Sequence, residues 1–137
     1  MLPDTLGVLN PMQVSMYIGQ MVARYPEAHF DFHAHNDYDL AVANAFAAAS
    51  AGCMGIHTAV NGLGERAGNA PLASVQAVLA DQAGFETHVN EEQLGEISRL
   101  VETCSGIVVP PNKPIVGENV FTQVAGVHAD GDNKNNL

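Results

Sequence analysis

The chain has 137 residues, of which 47% are hydrophobic and 15% are charged, and its mean hydropathy is +0.04. This composition is typical of one globular unit and excludes a disordered tail. Lys and Arg number 5 against 15 Asp and Glu, a formal net charge of −10, which excludes nucleic acid and anionic membranes as expected partners because both require a basic patch.

Three strand-and-helix units are predicted in succession. In each, a short β-like stretch precedes a longer one with apolar residues at helical spacing. Asp37 is expected to be the N-cap of the second helix and Pro71 to open the third. The predicted strands and helices occupy residues 2–9 and 11–25, 29–35 and 37–51, and 53–60 and 71–82. Repeated units of this kind predict a parallel sheet covered by helices.

A fourth helix is predicted over residues 91–104, with a capping box formed by Asn90 and Gln93 and a stop at Gly106. The chain then changes character, because residues 108–137 are rich in Pro, Gly and Asn and have no sustained period. We expect these residues to form an irregular arm. Three strands make a small sheet, so the body is either a small open α/β domain or the closing part of a larger barrel.

The chain carries no signal that would direct it out of the cytoplasm. It lacks both the roughly 18 consecutive apolar residues of a spanning helix and the basic and apolar regions of a signal peptide. Cys53 and Cys104 show no CxxC spacing, so a zinc finger or a disulfide framework is not expected. We therefore expect a cytoplasmic protein whose thiols both lie in the core.

The segment "HFDFHAH" contains two histidines, His33 and His35, one residue apart. Residues two apart on a strand point the same way, so these histidines share one face with Asp31 while the residues between them face the helices. Two imidazoles at the C-terminal end of a strand are well placed to hold a metal ion. Hydrogen-bonded or solvated histidines remain the alternative.

The glycine-rich segment "NGLGERAGNA" spans residues 61–70 between the third strand and its helix. Glycines before a helix suit either a phosphate cradle or a tight turn. The dinucleotide fingerprint G-x-G-x-x-G does not fit. Two residues separate its last two glycines, whereas three separate Gly64 and Gly68 of this segment. A turn that presents Glu65, Arg66 and Asn69 to a site is the better interpretation.

Four motifs together carry a family resemblance. "HAHND", "TAVNGLGERAGNA", "NKPIVGENVFTQ" and "GVHADGD" occur in this order, and with them the chain resembles, over nearly its whole length, the 2-isopropylmalate synthase and homocitrate synthase family. That family is the acyl-CoA-condensing branch of metal-dependent TIM barrels. The resemblance implies that residues 1–107 form the C-terminal part of a TIM (β/α)8 barrel, about strands six to eight, and that residues 108–137 begin an irregular linker.

The resemblance also implies a set of site residues. A divalent metal (Mn, Mg or Zn) would be held by two imidazoles and an amide oxygen, and a threonine would contact a 2-oxo acid. Two charged residues of "GER" and a linker histidine, which reaches the partner subunit, would take part in catalysis. The implied metal ligands are His33, His35 and Asn69, the substrate-binding residue is Thr5, and the catalytic residues are Glu65, Arg66 and His128.

The activity implied is the condensation of acetyl-CoA with a 2-oxo acid. 2-Isopropylmalate synthase of leucine biosynthesis, a homodimer at full length, is the nearest match, and homocitrate and citramalate synthases are the alternatives. The Arg-Asp pair that the family carries on its first barrel strand has no counterpart here, so we expect the chain alone to be inactive. The alternative of another class is an inactive half-barrel that pairs with a partner chain.

Overall fold

Three short parallel strands form one sheet in the order β1-β2-β3. The computed structural model describes residues 1–120 and 122. The strands are β1 (Leu2–Asp4), β2 (Asp31–Ala34) and β3 (Gly55–His57), and the helices are α1 (Pro11–Arg24), α2 (Ala41–Ser50), α3 (Leu72–Ala83) and α4 (Leu94–Ser105). Single turns of 3-10 helix occupy Val60–Gly62 and Glu91–Gln93. The predicted parallel sheet is confirmed, although each strand is shorter than its sequence pattern indicated.

The core lies between the sheet and the helices. Phe32 and Ala34 of β2 are each 1% exposed, which confirms the predicted helix-facing side of this strand. Val14 and Ile18 of α1 are fully buried in the same core cluster, and each such side chain contributes about 1.5–3 kcal/mol through burial. The buried residues of α2 are all alanines apart from Asn44.

The turn that leads from β1 into α1 is organised by buried polar groups. The Asp4 carboxylate accepts hydrogen bonds from the backbone N–H groups of Val8 and Leu9, both at 3.1 Å. Asn10 and Gln13 then form a capping box in which each side chain accepts from the other residue's backbone N–H, at 3.0 Å in both directions. This turn fixes where the chain leaves the carboxyl end of β1.

The predicted N-cap of α2 is wrong. The helix begins at Ala41, four residues beyond Asp37, and its N-cap Leu40 makes no side-chain cap hydrogen bond. Asn36 acts instead, because its Oδ1 accepts from the Ala41 N–H at 3.0 Å. Asp37 is not available for capping, since its carboxylate is bound by Arg66. A tertiary ion pair has taken precedence over the local capping preference.

The third and fourth helices also differ from expectation at their starts. Pro71 is the N-cap of α3 rather than its first residue. Asn90 accepts a hydrogen bond from Glu92 N at 3.1 Å in the 3-10 turn that precedes α4, so the predicted capping box does not form. Gly106 ends α4 in the left-handed conformation, as expected.

The two thiols do not share one environment. Cys53 is buried, whereas Cys104 is exposed on the outer side of α4, so the expectation of two core thiols is wrong for Cys104. Of the apolar residues at helical spacing on α4, Leu94 is 8% exposed, whereas Ile97 is 39% exposed and Cys104 is exposed, so this apolar stripe packs mainly near the start of the helix. No helix in the described part of the chain is long and apolar enough to cross a membrane.

Candidate functional site

The two histidines of "HAH" meet at the carboxyl end of β2. The ring centroids of His33 and His35 lie 5.1 Å apart at an interplanar angle of 81°, on the face of the sheet opposite the buried Phe32. Burial lowers the pKa of His33 first, and the neighbouring His35 and His57 lower it further. A lowered pKa favours the neutral imidazole, which is the form that binds metal ions.

Asn69 reaches the same place from the loop after β3. It forms an isolated antiparallel bridge with His35, and its Nδ2 donates a hydrogen bond to Leu63 O at 3.1 Å. Because this bond directs Nδ2 toward Leu63, Oδ1 of the same amide points away from Leu63. The Asn69 loop is tight, because Gly68 lies at a φ of +88° and a Cβ there would collide with the carbonyl oxygen of Gly62.

Two buried atoms at this site lack hydrogen-bond partners. They are Nδ1 of His35 and Oδ1 of Asn69, neither of which is paired within the described residues. Unpaired buried polar atoms are costly, and these two are available to a ligand at the edge of the sheet. Two imidazoles and an amide oxygen suit a divalent cation. They fit part of such a site, because the described residues bring together no group of three or more His, Cys, Asp or Glu that could hold a metal.

The charged loop residues form a second group at the same edge. Arg66 Nε donates to Asp37 Oδ1 at 2.8 Å, and Arg66 Nη2 donates to Asp37 Oδ2 at 3.0 Å and to the Thr5 carbonyl at 2.7 Å. Hydrogen bonding to Arg66 lowers the pKa of Asp37, and the same bond raises that of Arg66. Glu65 remains 83% exposed, with Oε2 3.8 Å from Arg66 Nη1.

The structure therefore brings most of the predicted residues to one edge of the sheet. His33, His35 and Asn69 form one group. Arg66 forms the other group, because it donates hydrogen bonds to both the Thr5 carbonyl and the Asp37 carboxylate. The catalytic role predicted for His128 is left as it stands, because this residue lies outside the described part of the chain.

Two residues of this face, His57 and Asp31, were not among the predicted site residues. His57 is paired in register with His33, and their ring centroids lie 5.8 Å apart. Asp31 lies one step deeper, with Oδ2 3.6 Å from His57 Nε2 and Oδ1 2.7 Å from His29 Nε2. Gly55 leaves room for this carboxylate, since a Cβ at that position would collide with it. The strand register could have indicated His57, because parallel neighbours carry level residues on one face.

Comparison with known proteins identifies the family. A model of the HMGL-like family matches residues 1–101. A homocitrate synthase of Sulfolobus acidocaldarius is 48% identical over 128 residues, which are 93% of this chain and 27% of that protein. A 2-isopropylmalate synthase of Sulfurisphaera tokodaii is 42% identical over 136 residues, which are 99% of this chain and 35% of that protein. The chain thus spans about a quarter to a third of the length of these curated relatives.

Solved structures agree on the fold. An HMG-CoA lyase from Acinetobacter baumannii, in complex with coenzyme A and 3-methylmalate, matches with a TM-score of 0.73 and 25% identity. The match covers 90% of this chain and 42% of the lyase chain. The parallel sheet with outer helices therefore corresponds to part of an HMGL-like TIM barrel. The chain belongs to the HMGL-like family, and its expected kinship with the 2-isopropylmalate and homocitrate synthases is confirmed.

Proposed function

We propose that the chain is the C-terminal part of a TIM barrel that condenses acetyl-CoA with a 2-oxo acid, most closely a 2-isopropylmalate synthase of leucine biosynthesis. Residues 1–107 supply about strands six to eight of the barrel, and residues 108–137 begin its linker. The observation that carries the proposal is the pair of unpartnered buried atoms on His35 and Asn69, with the His33 ring centroid 5.1 Å from that of His35. The sequence similarity to synthases of this kind supports it.

The residues of the carboxyl edge take the following roles in this proposal. His33, His35 and Asn69 hold a divalent cation, Mn, Mg or Zn, whose chemistry is Lewis-acid polarisation of the acceptor ketone. Asn69 presents Oδ1 because its Nδ2 is held by the Leu63 carbonyl. Thr5, exposed in the turn after β1, contacts the 2-oxo acid.

Glu65 and His128 are the proposed acid/base groups of the reaction. Glu65 is free to approach an incoming substrate because its side chain is almost fully exposed at the rim of the site. His128 would act across a homodimer interface of the full-length protein, in the partner subunit's site. We place the protein in the cytoplasm, with no nucleic-acid or membrane partner.

Homocitrate synthase is the second candidate, and one observation favours it. His57 and Asp31 make the wall beside His33 polar, whereas an acceptor with a branched apolar side chain would be expected to face apolar residues. A polar wall is better matched by an acceptor that carries a second polar group. Turnover with each acceptor in turn distinguishes the two candidates.

The test is an assay of free coenzyme A release by a protein that joins these 137 residues to the earlier strands of the barrel. Acetyl-CoA is combined in turn with 3-methyl-2-oxobutanoate, 2-oxoglutarate and pyruvate. We expect one acceptor to give turnover that depends on added divalent metal. His33→Ala should reduce it by about 100-fold or more because a metal ligand is lost. His88→Ala, which removes an exposed loop histidine, is the matched control and should leave it unchanged.

Three outcomes would refute the proposed function. The first is the absence of acceptor-dependent release with any of the three acids. The second is release that survives chelation of the metal. The third is equal loss of release in the His33 and His88 variants, which would mean that the histidine effect is unspecific.

A further inference from the structure

The Arg66 guanidinium donates hydrogen bonds to two other groups of the protein, the Asp37 carboxylate and the Thr5 carbonyl. A guanidinium carries five N–H donors, and its contacts with Asp37 and the Thr5 carbonyl, at 2.7–3.0 Å, use the Nε and Nη2 side of the group. The remaining nitrogen, Nη1, faces Glu65 at 3.8 Å. A guanidinium engaged in this way has few donors left for a substrate.

These contacts tie together the chain segments that follow all three strands. Thr5 follows β1, Asp37 follows β2, and Arg66 lies in the loop after β3. The last two segments are also joined by a backbone hydrogen bond from Asn36 N to Gly68 O at 2.9 Å. One tied group is the carbonyl of the proposed substrate-binding residue Thr5, and the others lie one to three residues from His35 and Asn69. We name Arg66, Asp37 and the Thr5 carbonyl the loop clamp.

The backbone at Arg66 shows that the surrounding structure holds this residue in place. Its φ is +56°, in the left-handed region that residues other than glycine and asparagine rarely adopt. The neighbouring turn is equally constrained, because a Cβ at Gly7, itself at a φ of +60°, would press on the Asp37 carboxylate. A side chain held by a bidentate ion pair from a strained backbone has one dominant orientation.

We propose that the loop clamp positions the donor set His33, His35 and Asn69 for a divalent cation, so that Arg66 is a positioning residue that acts through Asp37. This inference rests on the proposed metal site, and it replaces the catalytic role that family resemblance implies for Arg66. Asp37, the last residue of "HAHND", is then the functional partner of Arg66. Each residue then depends on the other, and the effects of losing them are not additive.

The experiment is a double-mutant cycle on the 137-residue chain, with Zn²⁺ as the probe. Arg66→Asn deletes the guanidinium yet tolerates a positive φ, and Asp37→Asn keeps the size of the side chain while removing its charge. Zn²⁺ titrations followed by the histidine ring signals in NMR spectra give the affinity, and urea unfolding gives the stability of each variant. Arg99→Gln and Asp81→Asn, at exposed positions of α4 and α3, make the same charge changes elsewhere.

We expect each clamp variant to weaken Zn²⁺ binding by about tenfold, and the double variant to be no weaker than the worse single one. Arg66→Lys should recover little, because lysine keeps the charge but not the fork. The charge controls should bind as the unaltered chain does.

Four results would overturn the proposal. The first is that the losses of Zn²⁺ affinity in the two single variants add up in the double variant, and the second is that the clamp variants are less stable but bind Zn²⁺ unchanged. The third is that Arg66→Asn weakens Zn²⁺ binding and Asp37→Asn does not. The fourth is that the unaltered chain binds no Zn²⁺. Failure of the proposed function is a separate observation, since it would appear as absent coenzyme A release by the longer protein with the earlier barrel strands, while Zn²⁺ binding by the 137-residue chain still depends on both residues of the clamp.

Discussion

Cys53 and Cys104 differ in how far each thiol lies from solvent, and this difference predicts their reactivity. Burial raises the pKa of Cys53, and its Sγ also contacts the Phe30 carbonyl at 3.1 Å. Cys104 is exposed. With iodoacetamide at mildly alkaline pH, we expect Cys104 to react as a free thiol does and Cys53 to react at least about 100-fold more slowly. Mass spectrometry of timed samples measures both rates.

Concentrated urea supplies the control for this labelling experiment, because unfolding should make the two rates alike. Similar rates in the absence of urea would mean that Cys53 is not buried as described. Faster labelling of Cys53 would contradict both its burial and the direction of its pKa shift.

Asn44 is the polar residue that most clearly stabilises the packing of α2. It is 1% exposed, and its Nδ2 donates to the Leu9 carbonyl at 2.8 Å, across 35 residues of sequence. Asn44→Ala would leave this carbonyl without its donor, and we expect the free energy of unfolding to fall by about 1–3 kcal/mol. Urea unfolding measures the change. Gln20→Ala on the exposed side of α1 is the control, and equal midpoints for the two variants would refute the prediction.

At the scale of elements, α4 is coupled to the loop that carries the candidate site. Ser98 Oγ donates to Asn61 Oδ1 at 2.6 Å, and Asn61 Nδ2 returns a hydrogen bond to the Ser98 carbonyl at 2.9 Å. Asn61 lies at a φ of +58°, so this pairing also holds an unusual turn at the start of the glycine-rich loop. The position of α4 and the shape of the loop are therefore interdependent.

Loss of this pairing should loosen both elements together. We expect Ser98→Ala to lower the free energy of unfolding by about 1–2 kcal/mol, because a buried hydrogen bond is lost. Amide hydrogen exchange should increase in α4 and in residues 61–69, while α1 stays protected. Thr103→Ala, on the exposed side of α4, is the matched control. Faster exchange in α4 alone would mean that the helix and the loop are independent.

The existence of the helices could be predicted from sequence, whereas several of their starts could not. Apolar spacing and Gly106 located α4, and the capping box at Asn10 was found in the structure where the α1 pattern begins. Asp37 was misassigned as a cap because its partner, Arg66, lies 29 residues away. Cys104 was misassigned because a periodic apolar stripe does not show how much of it a neighbouring element covers.

Only part of the candidate site could be predicted from local sequence patterns. A period of two places His33 and His35 on one face without any knowledge of a family. Asn69 joins them through loop geometry: the glycine-rich turn indicated that this residue faces a site, but only the resemblance made it a metal ligand. His57 was accessible in principle, but its position beside His33 depends on the strand register, Asp31 to Gly55 and His33 to His57.

At the scale of the whole molecule, the described strands leave two sheet edges unpaired. β1 and β3 each pair only with β2 within the described residues. Exposed edges of parallel strands are open to pairing with another chain. A closed barrel would cover both edges and would also bring additional side chains to the face that carries His33. We therefore expect the metal-binding donor set to be completed only when further strands close the sheet into a barrel.

The last prediction tests this link between barrel and site. The 137-residue chain alone should release no coenzyme A from acetyl-CoA with any of the three acceptors, and it should bind Zn²⁺ only weakly. The reason is that its described residues contribute two imidazoles and one amide oxygen but no third His, Cys, Asp or Glu in a metal-binding group. Calorimetry and the release assay, each run beside the longer protein, measure both properties. Tight stoichiometric binding, or turnover by the chain alone that His33→Ala abolishes, would show that three strands suffice for the site.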